Sequence, residues 1–217
     1  MFAFIDETLA RLYPTKRWGE RDDEVAFRAG VTPGEGEALA RTLAARLKAQ
    51  AIFRPGGAEE TCDYVYVLCL GRPPSLLELR EGLVDGATPE SDGIDELYLR
   101  VALSSVARCA GVQQVAMRLE RGADGALIVS ETPRTGVFDP VLLKRFQTLV
   151  AVLAELEIRH LDFGEIFEPP ADFDAGDYAQ RYGGAPAVAN YLFYPQPCNA
   201  VTTTVIDADR PSLARAI

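Results

Sequence analysis

The sequence predicts an α+β (mixed α/β) fold, with packed helices, a helical N-terminal region and a mixed sheet that contains one antiparallel hairpin. Segments with apolar residues at helical spacing alternate along the chain with short apolar runs rich in Val, Tyr and Thr, which are typical of strands. Apolar and polar residues also alternate on both sides of Asp124-Gly125, which indicates a β-hairpin. Because a hairpin makes part of the sheet antiparallel, this fold is favoured over a doubly wound parallel sheet.

The N-terminal part of the chain is predicted to be helical. Residues 2–13 form an amphipathic stretch, and a second helix should begin at Thr32, which opens a Thr-Pro-Gly-Glu capping box. The sequence RPGGAEET at 54–61 then breaks the helical pattern. We therefore predict a helical N-terminal region over 1–55 that packs on an α+β core domain over 56–217, within one globular unit.

Patterns of apolar residues also predict the order of elements in the core domain. A continuous apolar run is typical of a buried strand, whereas apolar residues at i, i+3 and i+4 indicate a helix. One helix begins at the capping pair Asp139-Pro140 and is apolar around most of its circumference, so we expect it to lie centrally in the core. In chain order the predicted elements are a strand at 63–71, a helix at 75–84, a helix at 94–110, the hairpin, the helix at 139–157, a strand at 158–164 and a strand at 200–207.

Charge and composition limit the classes of function. The 217 residues include 22 basic and 32 acidic side chains, which gives a formal net charge of -10. Nucleic-acid binding depends on clustered Lys and Arg, so this balance argues against a nucleic-acid partner and suits a basic protein partner. The sequence contains no apolar run of membrane-spanning length and no signal-peptide pattern. We therefore expect a cytoplasmic protein with reduced cysteines and no membrane partner.

The single histidine, His160, excludes several kinds of site. Zinc sites of the HExxH type and iron sites with two histidines and one carboxylate need more histidines than one chain supplies. The sequence also contains no CxxC pair, no P-loop lysine motif and no G-x-S-x-G motif. These absences leave carboxylates as the main candidate ligands.

A candidate catalytic site lies in the stretch RHLDFGEIFEPPADFDAGD, residues 159–177. If 158–164 is a strand, His160 and Asp162 point to the same face, and the carboxylate could orient the imidazole and raise its pKa. Glu165 would add an oxygen ligand for a divalent cation. The alternative is a histidine at the end of a strand, hydrogen-bonded to a neighbouring acid and without a catalytic role.

A candidate metal site follows at Asp172, Asp174 and Asp177. Alternating acidic residues beside a glycine resemble part of a Ca²⁺-binding loop, because hard cations take several oxygen ligands from a flexible turn. The pattern departs from an EF-hand, since Ala stands at the third ligand position and no glutamate stands at the twelfth. A solvated surface loop explains the same residues.

Basic residues gather around the only tryptophan in the sequence PTKRWGER, residues 14–21. An Arg over an aromatic face can bind a phosphate or a base, and it can equally serve to pack an exposed Trp. In a chain of net charge -10 the packing interpretation is favoured.

A candidate partner-binding segment lies at 178–197, where aromatic residues stand among Gly and Pro. Aromatic side chains on irregular segments dominate many protein contact sites, although the same residues could cover the core. The residues predicted to contact a partner are Tyr178, Tyr182, Tyr191, Phe193 and Tyr194.

These features together predict a non-enzymatic, cytoplasmic protein-interaction or regulatory module, such as an adaptor, a chaperone or an immunity-type inhibitor. Such a module needs no cofactor. The alternative is a divalent-metal-dependent enzyme that uses Mg²⁺ or Ca²⁺ at a carboxylate-rich site around His160, Asp162 and Glu165. The sequence carries no indication of an oligomeric state.

Overall fold

The computed structural model describes residues 3–30, 33–48, 50–55, 64–69, 94–122, 127–134, 139–193 and 202–206. Within these residues the protein has an α+β fold, as the sequence predicts. The helices are α1 (Ala3–Leu12), α2 (Asp23–Ala29), α3 (Pro33–Leu47), α4 (Pro140–Glu155), α5 (Phe163–Ile166), α6 (Tyr178–Tyr182) and α7 (Val188–Leu192). The strands are β1 (Gln50–Pro55), β2 (Tyr64–Cys69), β3 (Ile94–Leu103), β4 (Cys109–Arg121), β5 (Leu127–Arg134), β6 (Arg159–Leu161) and β7 (Thr202–Ile206).

Some sequence predictions fall on other parts of the chain. The helix at 75–84, the capping residue Thr32, the hairpin turn at Asp124-Gly125 and Tyr194 lie outside the described residues. The division into regions 1–55 and 56–217 stays a prediction, although residues 50–55 form a strand that the sequence patterns did not indicate.

The described strands form a mixed seven-stranded sheet in the order β1-β2-β3-β4-β5-β7, with β6 beside β4. Neighbours in the main order are antiparallel, whereas β6 runs parallel to the start of β4. The predicted hairpin is confirmed, because β4 and β5 pair in antiparallel register from Gln114 and Arg134 to Arg121 and Leu127. The long strand β4 therefore pairs with β6 over its first residues and with β5 over its remainder.

The helix predicted at 94–110 is wrong, because residues 94–103 form strand β3, which pairs with β4 over its whole length. The apolar residues of this segment fit the spacing of a helix and also that of a strand. Its apolar residues fit a helical stripe, but Leu97, Leu99, Val101 and Leu103 also alternate with the period of two that a strand requires. Local helix propensity is a weak effect, and pairing with β2 and β4 decides the outcome.

Helices cover both faces of the sheet. On the face that we call the α3–α4 face, Leu99, Val101 and Leu103 pack against buried side chains of α3 and α4. On the opposite face, Ala102 and Cys109 pack with residues of α1 and α7. Because successive strand residues alternate between faces, one strand contributes to both apolar clusters.

Helix α4 begins where the sequence predicts, because the Asp139 side chain accepts hydrogen bonds from the backbone N–H groups of Val141 at 2.9 Å and Leu142 at 2.8 Å. Helix α4 was predicted to lie centrally in the core, and it packs on the core along one side. Leu142, Leu149, Val152 and Leu153 form its buried side, whereas Val141 and Leu143 are exposed. Among the helices that the structure describes, none has the length and apolar content that a membrane crossing requires.

Helix α4 ends in a Schellman motif. The backbone N–H of Ile158 donates to the Leu153 carbonyl at 2.9 Å, and that of Glu157 donates to the Ala154 carbonyl at 3.1 Å. Glu157 adopts the left-handed conformation with φ of 57°, a position that glycine usually occupies. Ile158 and Leu153 lie in the same apolar cluster, which fixes the direction in which the chain enters β6.

Candidate functional site

His160 and Asp162 lie close together, as the sequence predicts, but they form no hydrogen bond. The His160 imidazole projects from β6, and its Nδ1 lies 3.8 Å from Asp162 Oδ1. The His160 side chain is 15% exposed, whereas the Asp162 side chain is 58% exposed. Asp162 comes directly after the strand and begins the short helix α5, so solvent reaches the carboxylate more easily than the imidazole.

Glu165 has a structural role that the sequence analysis did not predict. Its Oε2 accepts a hydrogen bond from the Asp162 backbone N–H at 3.0 Å. The Asp162 carbonyl in turn accepts hydrogen bonds from the N–H groups of Glu165 and Ile166. This is the glutamate half of a capping box, in which the third helical residue reaches back to the residue before the helix. Glu165 is 9% exposed, and this hydrogen bond directs one of its carboxylate oxygens into the turn.

Burial dominates the electrostatics of His160. Loss of solvent lowers its pKa, while the negative charges of Asp162 and Glu165 act in the opposite direction and Arg159 adds a smaller lowering effect. The ring of Phe146 on α4 packs edge-on at 5.3 Å between ring centroids. The imidazole is therefore held neutral near neutral pH. Within the described residues, no three His, Cys, Asp or Glu side chains converge as ligands for a metal ion.

Two of the three aspartates of the candidate metal site have other partners. Asp174 Oδ1 accepts a hydrogen bond from the Gly176 backbone N–H at 2.9 Å, and Oδ2 lies 3.4 Å from Arg17 Nε. Asp177 pairs with Arg181 at 2.6 Å. Asp172 is exposed, with a positive φ of 60°. The structure thus lends no support to a shared cation at this loop.

The basic stretch around Trp18 docks on this same loop, which we call the acidic loop (172–177). The Trp18 backbone N–H donates to the Asp174 carbonyl at 2.9 Å, and the Asp174 N–H donates to the Lys16 carbonyl at 2.8 Å. Gly176 approaches so closely that a Cβ atom would lie 2.8 Å from the Trp18 carbonyl oxygen. The two stretches that the sequence offers as separate candidate sites therefore bind each other.

Trp18 is buried, and with it most of the aromatic segment predicted to meet a partner. Tyr178, Tyr191 and Phe193 are each at most 2% exposed, so they belong to the core. Tyr182 is partly buried and packs against the same cluster. The partner-contact role predicted for these residues does not fit their burial. Tyr194 lies outside the described residues.

Edge-to-face ring contacts bind this aromatic cluster together. Trp18 lies 4.9 Å from Tyr178 and 5.0 Å from Tyr191 between ring centroids. The Tyr13 ring packs at 5.0 Å from Tyr191, and its hydroxyl donates to the Tyr191 carbonyl at 3.1 Å. Burial raises the pKa of Tyr191 to about 12, with smaller contributions from Asp174 and Tyr178. The cluster thus joins the N-terminal segment to the acidic loop and α7.

Residues 155–182 carry a large share of the negative charge, and we call them the acidic segment. They contain eight acidic and two basic residues, a net charge of -6 against -10 for the whole chain. Glu157, Glu168 and Asp172 are exposed and form no ion pair with another described residue. The charge is displayed on a backbone that the Trp18 contacts and the α5 cap hold in place.

The structure also shows a buried ion pair that sequence reasoning missed. Arg100 Nη2 lies 2.9 Å from Glu131 Oε1 and donates to the Tyr98 hydroxyl at 3.0 Å, while that hydroxyl donates to Glu131. Tyr98 and Glu131 are 3% and 4% exposed. Because 94–110 was predicted as a helix, the pairing of β3 with the hairpin was missed. The alternation from Leu97 to Leu103 was the available signal.

Neither the acidic segment nor the buried ion pair can be assigned by resemblance. In comparisons with models of protein families, with curated proteins and with solved structures, the chain matches none of them.

Proposed function

We propose that this protein is a non-enzymatic interaction module whose acidic segment (155–182) binds a basic protein partner. The observation that carries this proposal is the net charge of -6 on these residues, with Glu157, Glu168 and Asp172 exposed. A concentrated charge of one sign accelerates encounter with a partner of the opposite sign and sets its orientation. The module would act as an adaptor or an inhibitor of a basic protein.

Preorganisation of the acidic loop supports this proposal. Asp174 is fixed by the backbone hydrogen bonds to Lys16 and Trp18, and Gly176 packs against the Trp18 carbonyl. A surface that is already ordered loses little conformational entropy when a partner binds. The buried position of Glu165 and the lowered pKa of His160 support structural roles for both residues, which also favours a binding role over catalysis.

The proposal is tested by titrating the protein with a synthetic peptide of repeated Lys and Ser residues in a calorimeter. We expect binding that weakens as salt concentration rises, because exposed charges are screened. The triple variant Glu157→Gln, Glu168→Gln, Asp172→Asn removes three exposed charges while keeping side-chain size. We expect it to weaken binding about tenfold at low salt.

A matched control distinguishes the effect of where the charges lie from the effect of the total net charge. The triple variant Asp23→Asn, Glu24→Gln, Glu120→Gln removes the same charge from α2 and β4, where all three side chains are exposed. We expect this control to bind the peptide nearly as well as the wild type. Equal weakening in both triple variants, or no binding at low salt, would overturn the proposal.

A second candidate function is a divalent-metal-dependent enzyme, which the 3.8 Å separation of His160 Nδ1 and Asp162 Oδ1 favours. If Mg²⁺, Mn²⁺ or Ca²⁺ binds the native state here, millimolar metal will raise the unfolding temperature, and Asp162→Ala will abolish the rise. Unchanged melting curves for both proteins in all three metals would remove this candidate.

A further inference from the structure

We infer that two arginines of this chain, Arg17 and Arg181, compete with the basic partner for the acidic segment. Each arginine occupies a carboxylate that the partner would otherwise contact, and so the pair lowers the partner's affinity. This inference rests on the proposed function and adds an autoinhibitory contact to it. It concerns the carboxylates of the acidic loop that are paired within the chain, and not the three residues on which the proposed function rests.

The backbone places Arg17 beside Asp174. The two residues form an isolated parallel β-bridge, and Arg17 Nε lies 3.4 Å from Asp174 Oδ2. The same guanidinium reaches Glu20, whose Oε1 lies 3.3 Å from Arg17 Nη1. One arginine therefore neutralises two carboxylates, one from each of the two stretches of chain that dock here.

Arg181 covers a second carboxylate of the acidic loop. Its Nε donates to Asp177 Oδ2 at 2.6 Å, from one helical turn further along the chain. The other basic residue of the acidic segment, Arg159, lies over the Phe4 ring, 5.9 Å from the ring centroid. Among the described residues, Arg17 and Arg181 are thus the cations that form ion pairs with carboxylates of the acidic loop.

These ion pairs can open while the loop stays docked. The side chains of Arg17 and Asp174 are 52% and 66% exposed, and those of Arg181 and Asp177 are 65% and 47% exposed. Ion pairs this exposed contribute little to stability, because water and salt screen them. The loop is held by backbone hydrogen bonds of the residues before and after Arg17, which do not involve its side chain.

A basic partner has to displace these arginines or accept their repulsion. While they lie on the loop, they reduce the negative charge that the partner meets and place like charges at the point of contact. A partner with several closely spaced cations can replace both guanidinium groups, whereas a weakly basic one cannot. The contact therefore raises the positive charge that a partner needs in order to bind.

The test repeats the calorimetric titration with the peptide of Lys and Ser on the double variant Arg17→Gln, Arg181→Gln, which we call the arginine variant. We expect it to bind the peptide about fivefold more tightly than the wild type at low salt, and high salt should remove the difference. The matched control is Arg28→Gln, Arg118→Gln, which removes the same charge from exposed ion pairs on α2 and β4. This control should bind nearly like the wild type.

A second comparison links the gain to the loop carboxylates at constant net charge. Adding Asp174→Asn, Asp177→Asn to the arginine variant restores the net charge of the wild type and should cancel the gain. Adding Asp23→Asn, Glu24→Gln restores the same charge at exposed positions on α2 and should leave most of the gain intact. Circular dichroism and melting temperature verify that each variant is folded. If the arginine variant melts early, Arg181→Gln alone should show a smaller gain.

Three results would contradict the inference: an arginine variant that binds no more tightly than the wild type, an equal gain in the matched control, or a gain that the loop asparagines leave intact. If the wild type nevertheless binds the peptide through Glu157, Glu168 and Asp172, the proposed function stands and only the autoinhibition fails. If neither the wild type nor the arginine variant binds at low salt, both proposals fail.

Discussion

Burial and charge compete at His160, the only histidine of the chain. Its imidazole loses solvent beside Phe146, which lowers its pKa, while Asp162 and Glu165 favour the protonated form. Burial is the larger effect, so the native state disfavours a charged imidazole. The sequence predicts that Asp162 raises this pKa, whereas burial in the folded chain lowers it.

We predict that His160 makes the protein less stable in weak acid. Because its pKa is lowered from 6.5 on folding, the unfolded chain binds the proton more readily, and stability falls as the pH falls below 6.5. In His160→Gln the loss of stability that comes from protonation of the histidine disappears. Urea unfolding of both proteins at about pH 7.5 and about pH 5.5 measures it. An equal loss of stability in both proteins would contradict the prediction.

The buried pair of Arg100 and Glu131 gives a second prediction at this scale. Glu131→Ala removes the carboxylate that lies 2.9 Å from the Arg100 guanidinium, whose side chain is 17% exposed. We expect a loss of about 3 to 5 kcal/mol in the free energy of unfolding, measured with urea. The control is Glu120→Ala, which removes the exposed pair with Arg118 and should cost less than about 1 kcal/mol. Similar losses in both variants would contradict the prediction.

At the scale of elements, features that depend on neighbouring residues could be predicted from the sequence, whereas pairing between distant strands could not. The cap at Asp139 and the hairpin around Asp124-Gly125 depend on neighbouring residues, and both were predicted correctly in kind. Strand β3 depends on pairing with β4, because its apolar residues fit a helical stripe as well as the alternation of a strand. The acidic candidate residues were identified, but the partners of Asp174 and the cap formed by Glu165 follow from folding.

The end of α4 carries an element-scale prediction. Glu157 has a φ of 57° and places a negative charge at a helix C-terminus, where the helix dipole disfavours it. Glu157→Gly removes the charge and allows the left-handed conformation without strain. It should stabilise the protein by about 0.5 to 1 kcal/mol in urea unfolding. Glu157→Gln relieves the charge alone and should give a smaller gain. A Gly variant no more stable than the Gln variant would show that the backbone conformation costs nothing here.

At the scale of the whole molecule, the aromatic cluster holds distant parts of the chain together. Tyr13 and Trp18 come from the N-terminal segment, Tyr178 follows the acidic loop, and Tyr191 lies on α7. The sequence predicts these aromatic residues on a partner surface, because their spacing does not show which of them face the core. Their burial arises from contacts across more than 150 residues, as the hydrogen bond from Tyr13 to Tyr191 illustrates.

We predict that Gly176→Ala loosens the contact between the N-terminal segment and the acidic loop. The added Cβ would meet the Trp18 carbonyl oxygen at 2.8 Å, and φ at this position is 53°. The control is Gly183→Ala, where φ is 75° but no atom lies within 4 Å of the added Cβ. We expect the Gly176 variant to lose about 1 kcal/mol more than the control in urea unfolding. Equal losses would mean that the loop adapts without cost.

The chain has one tryptophan, and it sits at this junction with 7% of its surface exposed. Its emission spectrum therefore reports a single environment, at the place where the N-terminal segment meets the acidic loop. Tyr178 and Tyr191, with ring centroids 4.9 Å and 5.0 Å away, lie close enough to pass excitation energy to it. Undocking of the loop would shift the emission to longer wavelength and reduce this transfer, so the protein contains an intrinsic optical probe of its acidic surface.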